Sequence, residues 1–265
     1  MSEIKKNSLL TSMDKFLDGK ILIEQHLDGG RSNIDTILLS AAVPVKKGYK
    51  ILDVGVGNGT SSIALGSSFK DITIVGIDND PTNIELATRN VALNNLEEII
   101  AIMNVDILKK KISFRAVGQR DLIFDSIFMN PPYFDKECVN RSKSYHQSIT
   151  KYHDGSNLDK WINNSIKLLK FKGTITMINR VENLARTICL LSKHGSITIL
   201  PLISNINGEA LRFILSFKKG SKAKTRILSQ LILHREGGVF SDMVEDILRG
   251  RARIDLTRSE YFYEI

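Results

Sequence analysis

Ile51-Leu52-Asp53-Val54-Gly55-Val56-Gly57-Asn58-Gly59 is the stretch that decides the fold of this 265-residue chain. Its first four residues form an apolar run too short for a helix and bounded by glycine, which reads as a buried strand. The three glycines at alternate positions let the backbone leave that strand through a tight turn and approach a ligand closely. Residues 60–68 then carry a helical pattern. The same strand-then-helix alternation continues outward from this point, the signature of a parallel sheet covered on both faces.

Ile72-Thr73-Ile74-Val75-Gly76-Ile77 is the second strand and ends at Asp78. Pro81 suits the first turn of the next helix, where Ile84, Ala87 and Val91 fall on one face, and Asp80 suits its cap. Residues 99–103 form a third strand ending near Asp106, and Ile123-Phe124-Asp125-Ser126-Ile127-Phe128-Met129 forms a fourth. Leu158, Trp161, Ile162, Ser165 and Leu169 trace a helical stripe, and Gly173 opens a strand over residues 174–178. A helix over 182–193 is expected to end at Gly195 as its cap. The last two strands, 196–200 and 210–215, are joined by a turn too short for a crossover helix, so they must be antiparallel. The expected fold is α/β, a seven-stranded, mostly parallel, doubly wound sheet with an antiparallel last strand. One domain over 1–265 is expected, comprising a hairpin and helix extension at 1–49, a core at 50–217 and a basic extension at 218–265. A turn at Asp18-Gly19, a helix from Asp35, and a helix after Ser241 with Met243, Val244, Ile247 and Leu248 inward complete the extensions.

Composition narrows the class. A hydrophobic content of 42% and a charged content of 25% are ordinary for a globular chain. No apolar stretch approaches the roughly 18 residues of a membrane span, and the N-terminus lacks a secretory pattern, so a cytoplasmic protein without membrane partners is expected. Cys138 and Cys189 show no metal-ligand spacing, which reads as two free thiols and no metal. The net charge of +8 favours a polyanionic partner. Lys218, Lys219, Lys222, Lys224 and Arg226 cluster, Arg249, Arg251 and Arg253 alternate, and a polar run occupies 140–147. Each alone reads as a solvated loop; together they point towards nucleic acid. His146 and His153 read as loop residues.

The acidic residues at successive strand ends form a set. In an open parallel sheet, ligands lie beyond the carboxyl ends of the strands. There a carboxylate at Asp78 can accept both hydroxyl protons of a ribose. Asp106 can accept from an adenine amino group while Ile107 lines the ring. The glycine spacing is not that of a pyrophosphate-binding turn, which weakens a dinucleotide reading.

Asn130-Pro131-Pro132-Tyr133, at the exit of the fourth strand, carries the chemistry. An aromatic amino group is a poor nucleophile because its lone pair is delocalised. Held by two acceptors, the nitrogen can pyramidalise and aim that lone pair at an electrophile. The side-chain oxygen of Asn130 and a main-chain carbonyl near Pro131 can be those acceptors, while the prolines fix the backbone. Tyr133 can stack on a flipped base. A rigid turn or an exposed proline-rich ligand would use the same residues, but the apolar strand immediately upstream argues against the ligand.

These motifs resemble class I, Rossmann-like S-adenosylmethionine-dependent methyltransferases of the amino-group branch. Phe16-Leu17-Asp18-Gly19-Lys20, the segment from Ser32 through Asp35 to Ala42, and Leu233-His234-Arg235-Glu236-Gly237-Gly238 look like flanking signatures of the bacterial tRNA(Val) adenine-N6-methyltransferase family. The resemblance implies S-adenosylmethionine as cofactor and tRNA as partner, with a monomer expected. It places Asp53, Gly55 and Gly57 at the methionine end of the cofactor, Asp78 at the ribose, and Asp106 with Ile107 at the adenine. Asn130, Pro131, Pro132 and Tyr133 would hold the target adenine beside the anticodon, with Asn130 also bordering the cofactor. Two rivals stay open: a glutamine-N5 protein methyltransferase, whose amide nitrogen needs the same two acceptors, and a non-catalytic RNA-binding protein on the same fold.

Overall fold

The computed structural model describes residues 10–27, 31–109, 112, 123–132 and 156–264. Tyr133, Cys138, the polar run 140–147 with His146, and His153 lie outside the described residues.

The chain opens with a hairpin, β1 (Thr11–Phe16) and β2 (Ile21–His26), and a helix α1 (Ile34–Ala42). Then follow β3 (Lys50–Val54), α2 (Thr60–Ser68), β4 (Thr73–Asp78), α3 (Pro81–Leu93), β5 (Ile100–Asn104) and β6 (Phe124–Met129). The second half holds α4 (Ser156–Leu168), β7 (Leu169–Arg180), α5 (Leu184–Leu191), β8 (Gly195–Ile203) and β9 (Ala210–Lys219). Two short strands, β10 (Arg226–Ile227) and β11 (Leu231–Ile232), a helix α6 (Asp242–Leu248) and a closing pair, β12 (Ala252–Ile254) and β13 (Phe262–Glu264), complete it.

Strands β7, β6, β3, β4 and β5 lie side by side and parallel, while β9 inserts antiparallel between β7 and β8. The seven strands read from the sequence are therefore present, β3 through β9, with the antiparallel β9 as expected. The sheet is nine-stranded because β10 and β11, from the 218–265 extension, add in parallel to the outer edge of β8. Short pairings of two residues each carry too little pattern to be read from sequence.

Helices α1, α2 and α3 cover one face and α4 and α5 the other. Ile37, Leu38, Ile51, Ile63, Leu65, Ile74 and Phe128 belong to one buried cluster, which also takes in Leu231, Val244 and Ile254 from the extension. Leu52, Ile77, Ile127, Leu158, Ile162, Met177 and Leu215 belong to the other. Asp80 caps α3 by accepting from the Thr82 amide at 2.8 Å, with Pro81 at the first helical position, as read.

One local expectation fails. Gly195 does not cap a helix; it is the first residue of β8 and pairs with Lys219. A Cβ there would stand 2.0 Å from the Lys218 carbonyl oxygen, so the glycine serves close strand approach instead.

The hairpin is held on the core by amide side chains. Asn94 accepts from the Leu22 amide at 2.9 Å and donates to its carbonyl at 2.7 Å. One helical turn away, Asn90 does the same to Glu24 at 2.8 and 2.9 Å. The two asparagines satisfy alternate backbone groups on the outer edge of β2, as a neighbouring strand would. This docks the hairpin beside the glycine turn.

Candidate active site

Register brings the sequence-read residues together. Val54 pairs with Ile77 on one side and Met129 on the other, and Asp78 pairs with Asn104. Gly55, Asp78, Asp106 and Asn130 therefore emerge at or just beyond the carboxyl ends of four adjacent parallel strands.

The turn is built from left-handed glycines, with φ of 75° at Gly55, 55° at Gly57 and 87° at Gly59. Its start is anchored by the Gly55 and Val56 amides, which donate to the Ile77 carbonyl at 2.8 and 2.9 Å. A Cβ on Gly57 would meet nothing within 4 Å, so the turn's middle faces open space. A Cβ on Gly55 would instead stand 2.4 Å from Trp161 Cη2. Trp161, read from sequence only as part of a helical stripe, thus reaches from α4 to the turn itself. Gly55→Ala combines a left-handed alanine with this clash. A loss of about 2 kcal/mol or more in stability is expected, read as a lowered denaturant midpoint.

Asp78 already accepts three hydrogen bonds within the chain. Its Oδ2 accepts from the Gly57 amide at 3.0 Å and from Asn83 Nδ2 at 3.3 Å, and its Oδ1 accepts from the Asp80 amide at 2.9 Å. A carboxylate offers about four acceptor positions, so bidentate capture of a ribose requires Asn83 to yield one. Burial pushes the Asp78 carboxyl up, against the hydrogen bonds that lower it.

Asp53 is buried rather than lining a surface. It lies beneath the turn, accepting from Ser62 Oγ at 2.7 Å. Desolvation, against that hydrogen bond and reinforced by the charge of Asp78, raises its carboxyl to about 7. Asp106 is half-buried and accepts from the Leu108 amide at 2.9 Å. The Ile107 side chain packs into the second core cluster, and its carbonyl accepts from Asn164 Nδ2 at 2.7 Å.

Asn130 presents the feature the chemistry asks for. Among the described residues its Oδ1 is buried and accepts no hydrogen bond, a condition that costs free energy unless a ligand supplies the donor. Pro131 is buried beside it and Pro132 half-buried.

A polar network missed in the sequence ties the hairpin to the turn. Gln25, 2% exposed, accepts from the Ser32 amide at 2.7 Å and from Asn58 Nδ2 at 3.1 Å, and it donates to Asp14. Asn58 Oδ1 in turn accepts from Ser32 Oγ at 3.0 Å and Thr60 Oγ1 at 2.8 Å, and its carbonyl accepts from Asn90 at 2.9 Å. The signal was a polar residue at the inward position after Ile21 and Ile23.

The arginines of the C-terminal extension are engaged internally. Arg253 is buried, donating to the Val43 carbonyl at 2.7 Å with its guanidinium 4.8 Å from the Phe69 ring. Arg249 pairs with Glu245 and Arg251 with Asp246. Arg253 is therefore withdrawn from any exposed series, while Arg249 and Arg251 stay on the surface in ion pairs.

A parallel sheet ending in an antiparallel strand, with a glycine turn, acidic strand ends and an asparagine-proline exit side by side, defines a class I methyltransferase. Residues 45–225 match the family model described as a methyltransferase domain, and the chain belongs to that family. It is 25% identical over 223 residues to a tRNA1(Val) (adenine(37)-N6)-methyltransferase of Bacteroides thetaiotaomicron, covering 80% of this chain and 87% of that protein. It is 28% identical over 181 residues to a release factor glutamine methyltransferase of Fusobacterium nucleatum, covering 66% of this chain but 48% of that protein. In fold it is similar to a predicted O-methyltransferase from Agrobacterium tumefaciens, with a TM-score of 0.68 at 21% identity over 83% of this chain and 98% of that one. Among the described residues no helix is long and apolar enough to cross a membrane, and no group of three or more His, Cys, Asp or Glu could hold a metal ion.

Proposed function

We propose that this protein is a cytoplasmic S-adenosylmethionine-dependent methyltransferase acting on the exocyclic N6 of an adenine in tRNA, next to the anticodon. The observation that carries the reading is the buried, unpartnered Oδ1 of Asn130 beside the open glycine turn.

The residues present fit the cofactor. Gly57 leaves the turn open to close backbone approach, Gly55 starts that turn with Trp161 packed on it, Asp78 has an acceptor position left for a ribose hydroxyl, and Asp106 stands at the next strand end. Asp53 supports the turn from below. S-adenosylmethionine, when bound, supplies an electrophilic methyl group. Asn130 Oδ1 accepts one hydrogen of the target amino group, and a carbonyl near Pro131 accepts the other. The nitrogen then pyramidalises with its lone pair directed outward, and because the acceptors are fixed beforehand no reorganisation is needed. Holding the reactants in register provides much of the remaining acceleration. Tyr133, outside the described residues, takes the stacking role its motif position assigns.

RNA is favoured over a glutamine side chain by span. The tRNA enzyme of Bacteroides thetaiotaomicron is matched over 87% of its length, whereas the release factor enzyme is matched over 48%.

The test is transfer from labelled S-adenosylmethionine to unmodified bulk tRNA, followed by nucleoside mass spectrometry. N6-methyladenosine is expected, with tRNA binding that weakens steeply with salt as phosphate contacts require. Methylation of a release factor glutamine, with no methylated nucleoside, would overturn the reading.

A further inference from the structure

Five exposed lysines lie at or near the end of the sheet away from Asn130. Lys50 starts β3 and Lys46 stands just before it, while Lys218 lies near the end of β9 opposite Thr174, near the start of β7. Lys172 is the fourth residue of β7 and Lys222 follows β9; these five lysines are all exposed. Burial and then the charges of Lys46 and Lys172 hold the Lys218 ammonium below its ordinary range, so these like charges sit within reach of one another, which is unfavourable without an anion. Among the described residues, nearby acids are few and engaged: Asp125 pairs with Lys170 at 2.7 Å and Asp71 with Lys47 at 3.5 Å.

An aromatic ring is displayed among these lysines. The β6–β7 register shifts between Phe124, paired with Leu169, and Ser126, paired with Thr174, so residues 170–173 loop out. Such irregularities commonly re-aim a side chain. Lys172 takes a left-handed φ of 64° within this loop, and Phe171 is left 70% exposed. The ring is nonetheless held in place. A Cβ on Gly220 would stand 2.0 Å from Phe171 Cε2, so the ring lies directly on the glycine backbone. Lys172 Nζ stands 5.3 Å from the ring centroid. The ring thus touches the Gly220 backbone and carries the mobile Lys172 ammonium over it, while 70% of the residue stays exposed.

We propose that this end of the sheet is a second RNA-binding face, in which the lysines take backbone phosphates and Phe171 stacks an unpaired base. A backed aromatic ring within a cationic surface is the arrangement that binds single-stranded nucleic acid, with stacking of about 1–3 kcal/mol per base. Thr174, where regular pairing resumes beside this loop, lies about 20 Å from Arg180 along β7, at roughly 3.3 Å per residue. The RNA must therefore extend well beyond the reacting base, as a folded tRNA does. The inference rests on the reading that the substrate is RNA.

The test compares the full-length wild type with Phe171→Ala and with the triple variant Lys46→Gln, Lys172→Gln, Lys222→Gln. Direct tRNA binding is measured by anisotropy at several salt concentrations, alongside methylation kinetics and S-adenosylmethionine affinity. The triple variant is expected to bind tRNA about tenfold more weakly, with a salt slope shallower by about one for each phosphate that is no longer neutralised. Phe171→Ala should weaken binding about fivefold or more without changing the slope. Both should retain kcat at saturating tRNA and the affinity for S-adenosylmethionine, which also reports folding. Unchanged tRNA affinity and slope in both variants would overturn the proposal, as would a wild type that binds no tRNA. Variants that lose binding to phosphatidylserine vesicles while keeping tRNA affinity would assign the face to a membrane surface and overturn it too. A wild type that binds tRNA but methylates none would sink the proposed function alone, since the binding comparison still decides the face.

Discussion

Asn130→Ala is expected to reduce methyl transfer by about two to three orders of magnitude, the usual consequence of losing one preorganised polar contact to the reacting group. The side-chain oxygen is buried and unpartnered, so it contributes nothing to folding that an alanine would forfeit. Stability should therefore hold or rise, because removing an unsatisfied buried polar atom relieves a desolvation penalty of about 1–3 kcal/mol. Cofactor affinity should stay within about threefold, since the glycine turn and Asp78 are held by their own hydrogen bonds. Isothermal titration with S-adenosylmethionine and single-turnover transfer on tRNA separate the two readouts. Loss of cofactor binding in parallel with transfer would contradict the role given to this side chain.

Asp53→Asn is expected to reshape the dependence of stability on pH. The folded carboxyl is raised to about 7 from an ordinary value of 3.8. Below pH 4 both folded and unfolded chains hold this proton and the group makes no difference to the slope. Between pH 4 and 7 the unfolded chain gives up the proton while the folded chain keeps it, so stability falls as pH rises; above 7 the loss is complete. At about 1.4 kcal/mol per unit, the loss across the window is on the order of a few kcal/mol. Asparagine can still accept from Ser62 and does not titrate. Its stability relative to wild type should therefore rise from pH 4 to 7 and then level off, as followed by urea denaturation at stepped pH. Parallel curves for the two proteins would mean that Asp53 does not titrate in this range.

Much of the site was legible because it is local. The strand at 51–54 and the turn at 55–59 follow from nine consecutive residues, the helix from the nine after them, and the Asn130 motif from four. Asp80 and Pro81 announced the start of α3, and the short link between β8 and β9 required the antiparallel pairing that β9 shows. Asp78 was placed correctly at a strand end, but its hydrogen bonds to the turn were not readable, because its partners Gly57 and Asn83 come from different segments.

Charge was the least legible property. Lys218 and its neighbours in sequence read as a basic cluster suited to a polyanion, but their place at the end of the sheet away from Asn130 follows only from the antiparallel direction of β9. Lys219 donates to the Ile166 and Leu169 carbonyls at 2.7 and 2.6 Å, satisfying the end of α4. Arg253 looked like one of a solvated series and is buried against Phe69. Gln25, at an inward position of a strand, became the link between a hairpin and a turn more than thirty residues away.

By itself, the sequence determined which segments become strands and helices, where the chain turns, and which residue types stand at strand ends. Hydrophobic period, glycine and proline act over a few residues and need no partner. Only the tertiary structure decided what each polar group faces: that Asp53 is sealed beneath the turn, that Asn130 keeps a buried acceptor without a donor, and that Trp161 closes on Gly55. Burial and hydrogen bonding are relations between segments distant in sequence, and they exist only once strand order and direction have brought those segments together.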